Sequence, residues 1–169
     1  LNGTRVNVRW FGAYGNGSNN DTSALQAAID YCEANSMGLY IPKGVYLVRA
    51  ANSNSFALRI NSNGFLMEGD GKESEIKEDN GYPYKALLGI QANSGNIKDI
   101  TVRNLGFDGN RANQSGAWYG ACIITVSVSA TNSPANITLD GLYCHDAYTD
   151  NIDNTGEALE LWYIQRKIV

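Results

Sequence analysis

The chemically densest stretch of the 169-residue chain is the run at 145–154, His145-Asp146-Ala147-Tyr148-Thr149-Asp150-Asn151-Ile152-Asp153-Asn154. It holds the only histidine and three carboxylates. Two carboxylates, Asp150 and Asp153, can act as an acid and base pair on a glycosidic bond when one is kept protonated. They can equally form the edge of a calcium site, because that ion takes oxygen donors. His145 and Tyr148 are near enough in sequence to orient a substrate. His145, Asp150 and Asp153 are therefore the catalytic candidates. A solvent-facing turn ladder with no chemistry is the competing reading of the same residues, and both stay open at this point. A straight strand sends i and i+2 to one face, so Asp150 and Asp153 share a face only if a bend falls at Asn151.

A second group lies upstream. Asp108-Gly109-Asn110-Arg111 ends a strand pattern and starts a loop reaching Trp118-Tyr119. Rings on such a loop stack on sugars or pack the loop down, and the sequence alone leaves both open. Tyr148, Trp118, Tyr119, Asp108 and Arg111 are the substrate-binding candidates. Lys and Arg are sparse around the carboxylates, and Arg103 and Arg111 reach them only if the fold stacks distant segments. The acidic runs at 69–75 and 78–81 read as solvated corners, so no metal ligands are assigned.

The elements that must position these groups are short strands with one helix before them. Leu25, Ala28, Ile29 and Cys32 fall at i, i+3, i+4 and i+7, a single apolar stripe. Asp21, Thr22 or Ser23 can cap this helix, with Ser23 and Gln26 in capping-box spacing, and Gly38 supplies a left-handed stop. After it, Leu39, Ile41, Tyr46 and Val48 have offsets 0, 2, 7 and 9, repeated by Leu58, Ile60, Phe65 and Met67. Ile100, Val102, Leu105 and Phe107 have offsets 0, 2, 5 and 7, matched by Ile137, Leu139, Leu142 and Cys144 37 positions on. That spacing is expected to be a coil and a half or two short coils. Paired inward residues flanking a bend suit a strand turning the corner of a parallel coil, and a hairpin sandwich lacks the two-residue turns it would need.

Composition agrees. There are 20 Asn and 18 Gly, residues that tolerate left-handed corners, while 43% hydrophobic content argues against disorder. Net charge is −4 with no basic patch, so nucleic acid is not an expected partner. No apolar run approaches a membrane span. Of the three cysteines at least one is unpaired, and Cys122 and Cys144, 22 positions apart, could stack in adjacent coils.

Residues 11–48 resemble the opening of the pectate-lyase-like right-handed β-helix proteins. The likeness rests on Phe11-Gly12-Ala13, the loop from Gly15 to Gly17, Asp21-Thr22, Ala28-Ile29 and Pro42-Lys43-Gly44-Val45-Tyr46. It implies an all-β fold, a right-handed single-stranded parallel β-helix of five to six coils with an N-terminal capping α-helix. Such an opening serves polygalacturonase-like hydrolases, lyases, alginate epimerases and phage tailspikes, and does not choose among them. Residues 148–153 are similar to the Asn-Thr-Asp-Gly-x-Asp motif of the hydrolases, with Tyr148 for Asn and Asn151 for Gly. The hydrolases' Asp-Asp, Gly-His-Gly and Arg-x-Lys motifs are absent. Aligned with the epimerases, Asp153 falls on their catalytic Asp, while their Tyr and His positions carry Asp150 and Thr155.

The resemblance implies an extracellular or virion-surface protein acting on a polysaccharide, acidic in the lyase case, as a glycoside hydrolase or polysaccharide lyase. The alternative it implies is a non-catalytic structural or glycan-binding segment such as part of a tailspike. No cofactor is expected except calcium for a lyase, where a cation neutralises the uronate. Residues 1–169 are expected to form a single β-helix domain cut short at its C-terminal end. The strand pattern at 159–164 then offers an edge for homo-oligomers.

Overall fold

The computed structural model describes residues 4–52, 55–82, 84–91, 97–114, 120–125, 135–147, 152–154 and 159–166. For 124, 125, 152–154 and 159–166 the description is of the backbone. The strands are β1 (Arg5–Asn7), β2 (Asn16–Asn20), β3 (Gly38–Ile41), β4 (Gly44–Val48), β5 (Phe56–Ile60) and β6 (Leu66–Glu78). They continue as β7 (Ala86–Ile90), β8 (Lys98–Asp108), β9 (Ala121–Thr125), β10 (Ala135–His145), β11 (Ile152–Asn154) and β12 (Leu159–Arg166). One helix, α1 (Thr22–Asn35), lies between β2 and β3.

The first sheet runs β1-β3-β6-β8-β10-β12, with β2 and β4 beside it and β4 paired to the second half of β6. The second runs β11-β9-β7-β5. From β4 onward the chain passes alternately between the sheets, and each return lies one strand further on. Every described pairing is parallel. The result is a stack of coils in which side chains of like kind form ladders. Leu39, Met67, Val102 and Leu139 pair in succession, as do Tyr46, Ile76, Phe107 and Cys144, and all are fully buried. Leu58, Leu88 and Ile123 form the facing ladder of the second sheet.

The inward positions expected from the offset patterns are all buried. Their spacing means something different from the expectation. Ile100 pairs directly with Ile137, so 37 residues make one coil. Leu39 stacks on Met67 and not on Leu58, so the first repeat relates faces within a coil rather than successive coils. The long strands β8 and β10 bend where Asn104 and Gly141 take positive φ, and a Cβ on Gly141 would lie 2.6 Å from Asn104 Oδ1.

The stripe of α1 is buried as its spacing predicts, against β1, β3 and β5 and the 3-10 turn Val8–Phe11. Its ends differ. Ser23 and Gln26 form no capping box, because Gln26 Nε2 donates to Asp30 Oδ1 at 2.8 Å and Arg59 O at 3.1 Å. Asp21 holds the N-cap position, yet its carboxylate accepts from Tyr14 N at 2.7 Å and Gly15 N at 2.9 Å, pinning the glycine loop. The left-handed stop is Ser36, and Gly38 opens β3. Tyr46 lies so close over Gly15 that a Cβ there would sit 2.7 Å from its ring.

The acidic run at 69–75 is not a corner between strands but part of the 13-residue β6, with Asp70, Lys72 and Glu73 exposed around an irregularity at Gly71 and Ser74 fully buried. Of the run at 78–81, Glu78 ends β6 fully buried, while Asn80 and Gly81 form the exposed turn expected of them. Around Ile76 the polar and apolar residues alternate, which sends Glu75 and Lys77 outward and Ile76 and Glu78 inward.

Candidate functional site

On the outer face of the first sheet, β6, β8 and β10 bring Lys77, Asp108 and His145 into one register row. The alternating inward row is Ile76, Phe107 and Cys144, whose burial fixes which way the outer row points. Glu75 lies two residues before Lys77, on the same face. It is aligned with Gly106, which puts no side chain in its way.

These four side chains converge. Lys77 Nζ is ion-paired to Asp108 Oδ2. The other carboxylate oxygen of Asp108 accepts from Asn110 N at 2.7 Å and lies 3.8 Å from His145 Nδ1. His145 Nδ1 is 2.8 Å from Asp146 Oδ2, and its Nε2 is 3.4 Å from Glu75 Oε1. The Tyr143 ring packs on the imidazole at 4.8 Å between centroids. Asp108 is nearly buried, His145 and Glu75 are mostly covered, and Asp146 is half exposed. Glu75 and Lys77 also line an open hollow of about 520 Å³, bounded by Gly17, Ser18, Val45 and Leu47 on β2 and β4. The hollow is thus continuous with a group of acids, a base and an ammonium within reach of a bound polar ligand.

Behind this face stands Glu78, fully buried and pointing inward. Its Oε1 accepts from Ala50 N at 3.4 Å, and its Oε2 has no hydrogen-bond partner among the described residues. Burial pushes its carboxyl up to about 8. Cys122 and Cys144 do not stack as expected from their spacing, because Cys122 is on β9 of the second sheet while Cys144 on β10 of the first stacks on Phe107. Burial raises the Cys122 thiol, which donates toward the carbonyls of Phe107 and His145. Both cysteines are buried thiols outside any disulfide.

The structure brings three of the expected residues together, Asp108, Arg111 and His145. Arg111 is exposed, and its backbone N donates to Asp146 O at 3.0 Å. Arg103 lies elsewhere on the sheet, donating to Glu68 at 2.8 and 2.7 Å. Asp153 is in β11, paired with Ile124 in the second sheet, whereas His145 ends β10 in the first. Tyr148, Asp150, Trp118 and Tyr119 lie outside the described residues. Sequence reasoning missed Glu75 and Lys77. The alternation Glu75-Ile76-Lys77-Glu78 was the available signal, masked by the glycines just before it.

The family model for rhamnogalacturonase A/epimerase, pectate lyase-like proteins matches residues 5–158. The chain belongs to that family. Within it, alginate lyase 7 of Azotobacter vinelandii is 39% identical over 114 residues, covering 65% of this chain and 13% of that protein. Mannuronan C5-epimerase AlgE4 of the same organism is 34% identical over 123 residues, covering 69% of this chain and 22% of the epimerase. Among solved structures, the A-module of Azotobacter vinelandii mannuronan C-5 epimerase AlgE6 superposes with a TM-score of 0.77 at 26% identity. That superposition covers 92% of this chain and 41% of the module. A Geobacillus virus E2 protein, ORF18, shares the fold at a TM-score of 0.66 and 18% identity, over 88% of this chain and 27% of its own. The chain thus spans less than a quarter of these curated relatives' length.

Proposed function

We propose that this chain is part of an extracellular or virion-surface β-helix protein that acts on an acidic polysaccharide of the alginate type, by elimination. The observation that carries the reading is the 39% identity with a protein named as an alginate lyase. Asp150 and Thr155 at the epimerases' Tyr and His positions favour elimination over C5 inversion. The coil is right-handed, as parallel crossovers almost always are, and α1 closes its first turn.

Elimination breaks the C5–H and C4–O4 bonds of a uronate and forms the C4–C5 double bond. It needs a cation at the carboxylate, a base at C5 and a proton for the departing oxygen. Lys77 and Arg111 are the cations assigned here, and Asp150 and Asp153 the acid and base groups. Tyr148, Trp118 and Tyr119 are assigned to contact with the sugars. Calcium would further neutralise the uronate. The nitrogen donor of His145 does not suit that ion at the outer-face cluster, and no step is routed through it.

The test is incubation with alginate, polymannuronate, polyguluronate, polygalacturonate and a neutral glucan. Ultraviolet absorbance of unsaturated uronates is expected with the first three and not with the glucan. Folded protein that releases neither unsaturated ends nor reducing sugar from any of them refutes catalysis, and binding without turnover would then mark a glycan-binding segment.

A further inference from the structure

We propose that Glu75, Asp108 and His145 form a binding site for one divalent ion of the zinc or manganese type.

The imidazole carries the argument. Asp146 Oδ2 lies 2.8 Å from His145 Nδ1, and an ionised carboxylate only accepts, so the ring proton resides on Nδ1. In the neutral ring Nε2 is then the lone-pair donor. It faces Glu75 Oε1 at 3.4 Å, longer than the usual 2.7–3.2 Å of an N–H···O bond. Among the described residues Glu75 has no other hydrogen bond or ion pair. In that neutral ring two acceptors face each other across the gap. A cation fills such a gap. Zinc bonds of about 2.0–2.2 Å set tetrahedral ligand atoms about 3.3–3.5 Å apart, the separation seen between Nε2 and Oε1.

The remaining parts of a metal site are in place. One ligand atom each from Glu75, Asp108 and His145 lies within 4.8 Å of the others. Lys77 holds Asp108 by Oδ2, and Oδ1, which accepts from Asn110 N at 2.7 Å, lies 3.8 Å from the imidazole Nδ1 with a further lone pair to offer. The Asp146–His145 contact is the carboxylate–histidine arrangement that orients a metal-bound ring and fixes its tautomer. Glu75 opens onto the hollow, which supplies an entry path and a free coordination position. One nitrogen with two carboxylates favours a borderline transition metal over calcium or magnesium. The ligands come from β6, β8 and β10, so the ion would tie three successive coils together.

His145 is the only histidine, so imidazole 15N NMR of the full chain reports a single ring. The metal-free protein should show Nδ1–H and a bare Nε2. Adding zinc chloride should shift Nε2 with one-to-one stoichiometry and leave Nδ1–H in place. Manganese chloride should broaden the same signals, and calcium chloride should leave them unchanged. Glu75→Gln and Asp146→Asn, each checked for folding by circular dichroism, should weaken zinc binding at least about tenfold. A ring protonated on both nitrogens that ignores zinc overturns the proposal, as does a calcium response equal to that of zinc, or zinc affinity unchanged in Glu75→Gln. No polysaccharide enters this experiment, so its outcome is independent of the proposed elimination.

Discussion

Replacing Glu78 by glutamine isolates the cost of a carboxyl held inside the coil. Glu78 occupies an inward position opposite Val48, is fully buried, and has one carboxylate oxygen with no hydrogen-bond partner among the described residues. Burial lifts it from the ordinary 4.5 to about 8, so the folded chain keeps the proton over a range where the unfolded chain has lost it. The folded state therefore binds more protons between these values. The stability linked to this proton is present in full below pH about 4.5 and is lost as pH rises to about 8. At about 1.36 kcal/mol per pH unit, that displacement amounts to a ceiling of about 5 kcal/mol. Glutamine has nearly the same shape and does not titrate. The assay is urea unfolding of both proteins at pH 5, 7 and 9. The two should have similar stability at pH 5, and the variant should exceed the wild type by about 3–5 kcal/mol at pH 9. All other titrating groups are common to both, so the difference reads Glu78 alone. Parallel stability curves from pH 5 to 9 would refute the burial argument.

Gly15→Ala should cost about 1–3 kcal/mol, seen as a lower thermal midpoint, because the added Cβ meets the Tyr46 ring at 2.7 Å. Asp21→Ala should cost about 2–4 kcal/mol by leaving the Tyr14 and Gly15 backbone donors without their acceptor, with urea unfolding as the measure. Asp150→Ala and Asp153→Ala should each abolish turnover of a responsive uronate polymer while thermal unfolding stays nearly unchanged. Loss of stability in Asp153→Ala would make that residue structural.

The fold was readable because its ladders are made of residues whose burial is set by local alternation. Leu39, Ile41, Tyr46 and Val48 declare their inward direction within ten positions, and the stacking of coils only confirms it. Coil length was not readable in the same way. The loops between strands vary freely without disturbing the ladders, so Leu39 meets Met67 after a short coil while Ile100 meets Ile137 after a longer one. A repeat of offsets thus reveals faces, and only pairing reveals which faces stack. The helix ends show a related limit. Asp21 and Gln26 have side chains suited to capping, but the glycine loop and the Arg59 backbone compete for them and win.

The candidate site was half visible for the same reason. His145 and Asp108 stood out because each closes a strand pattern, and both are indeed at the ends of neighbouring strands in one row. Their partners lie roughly a coil or more away in sequence, where no local motif points to them. Glu75 and Lys77 sit in a stretch whose glycines and charges imitate a turn. What overrides that imitation is Ile76, which the core draws inward against Phe107, forcing its two neighbours outward toward Asp108 and His145. An apolar residue inside an acidic run is therefore the useful signal in this architecture. It fixes the direction of the polar residues beside it, and stacking then decides which distant groups they meet.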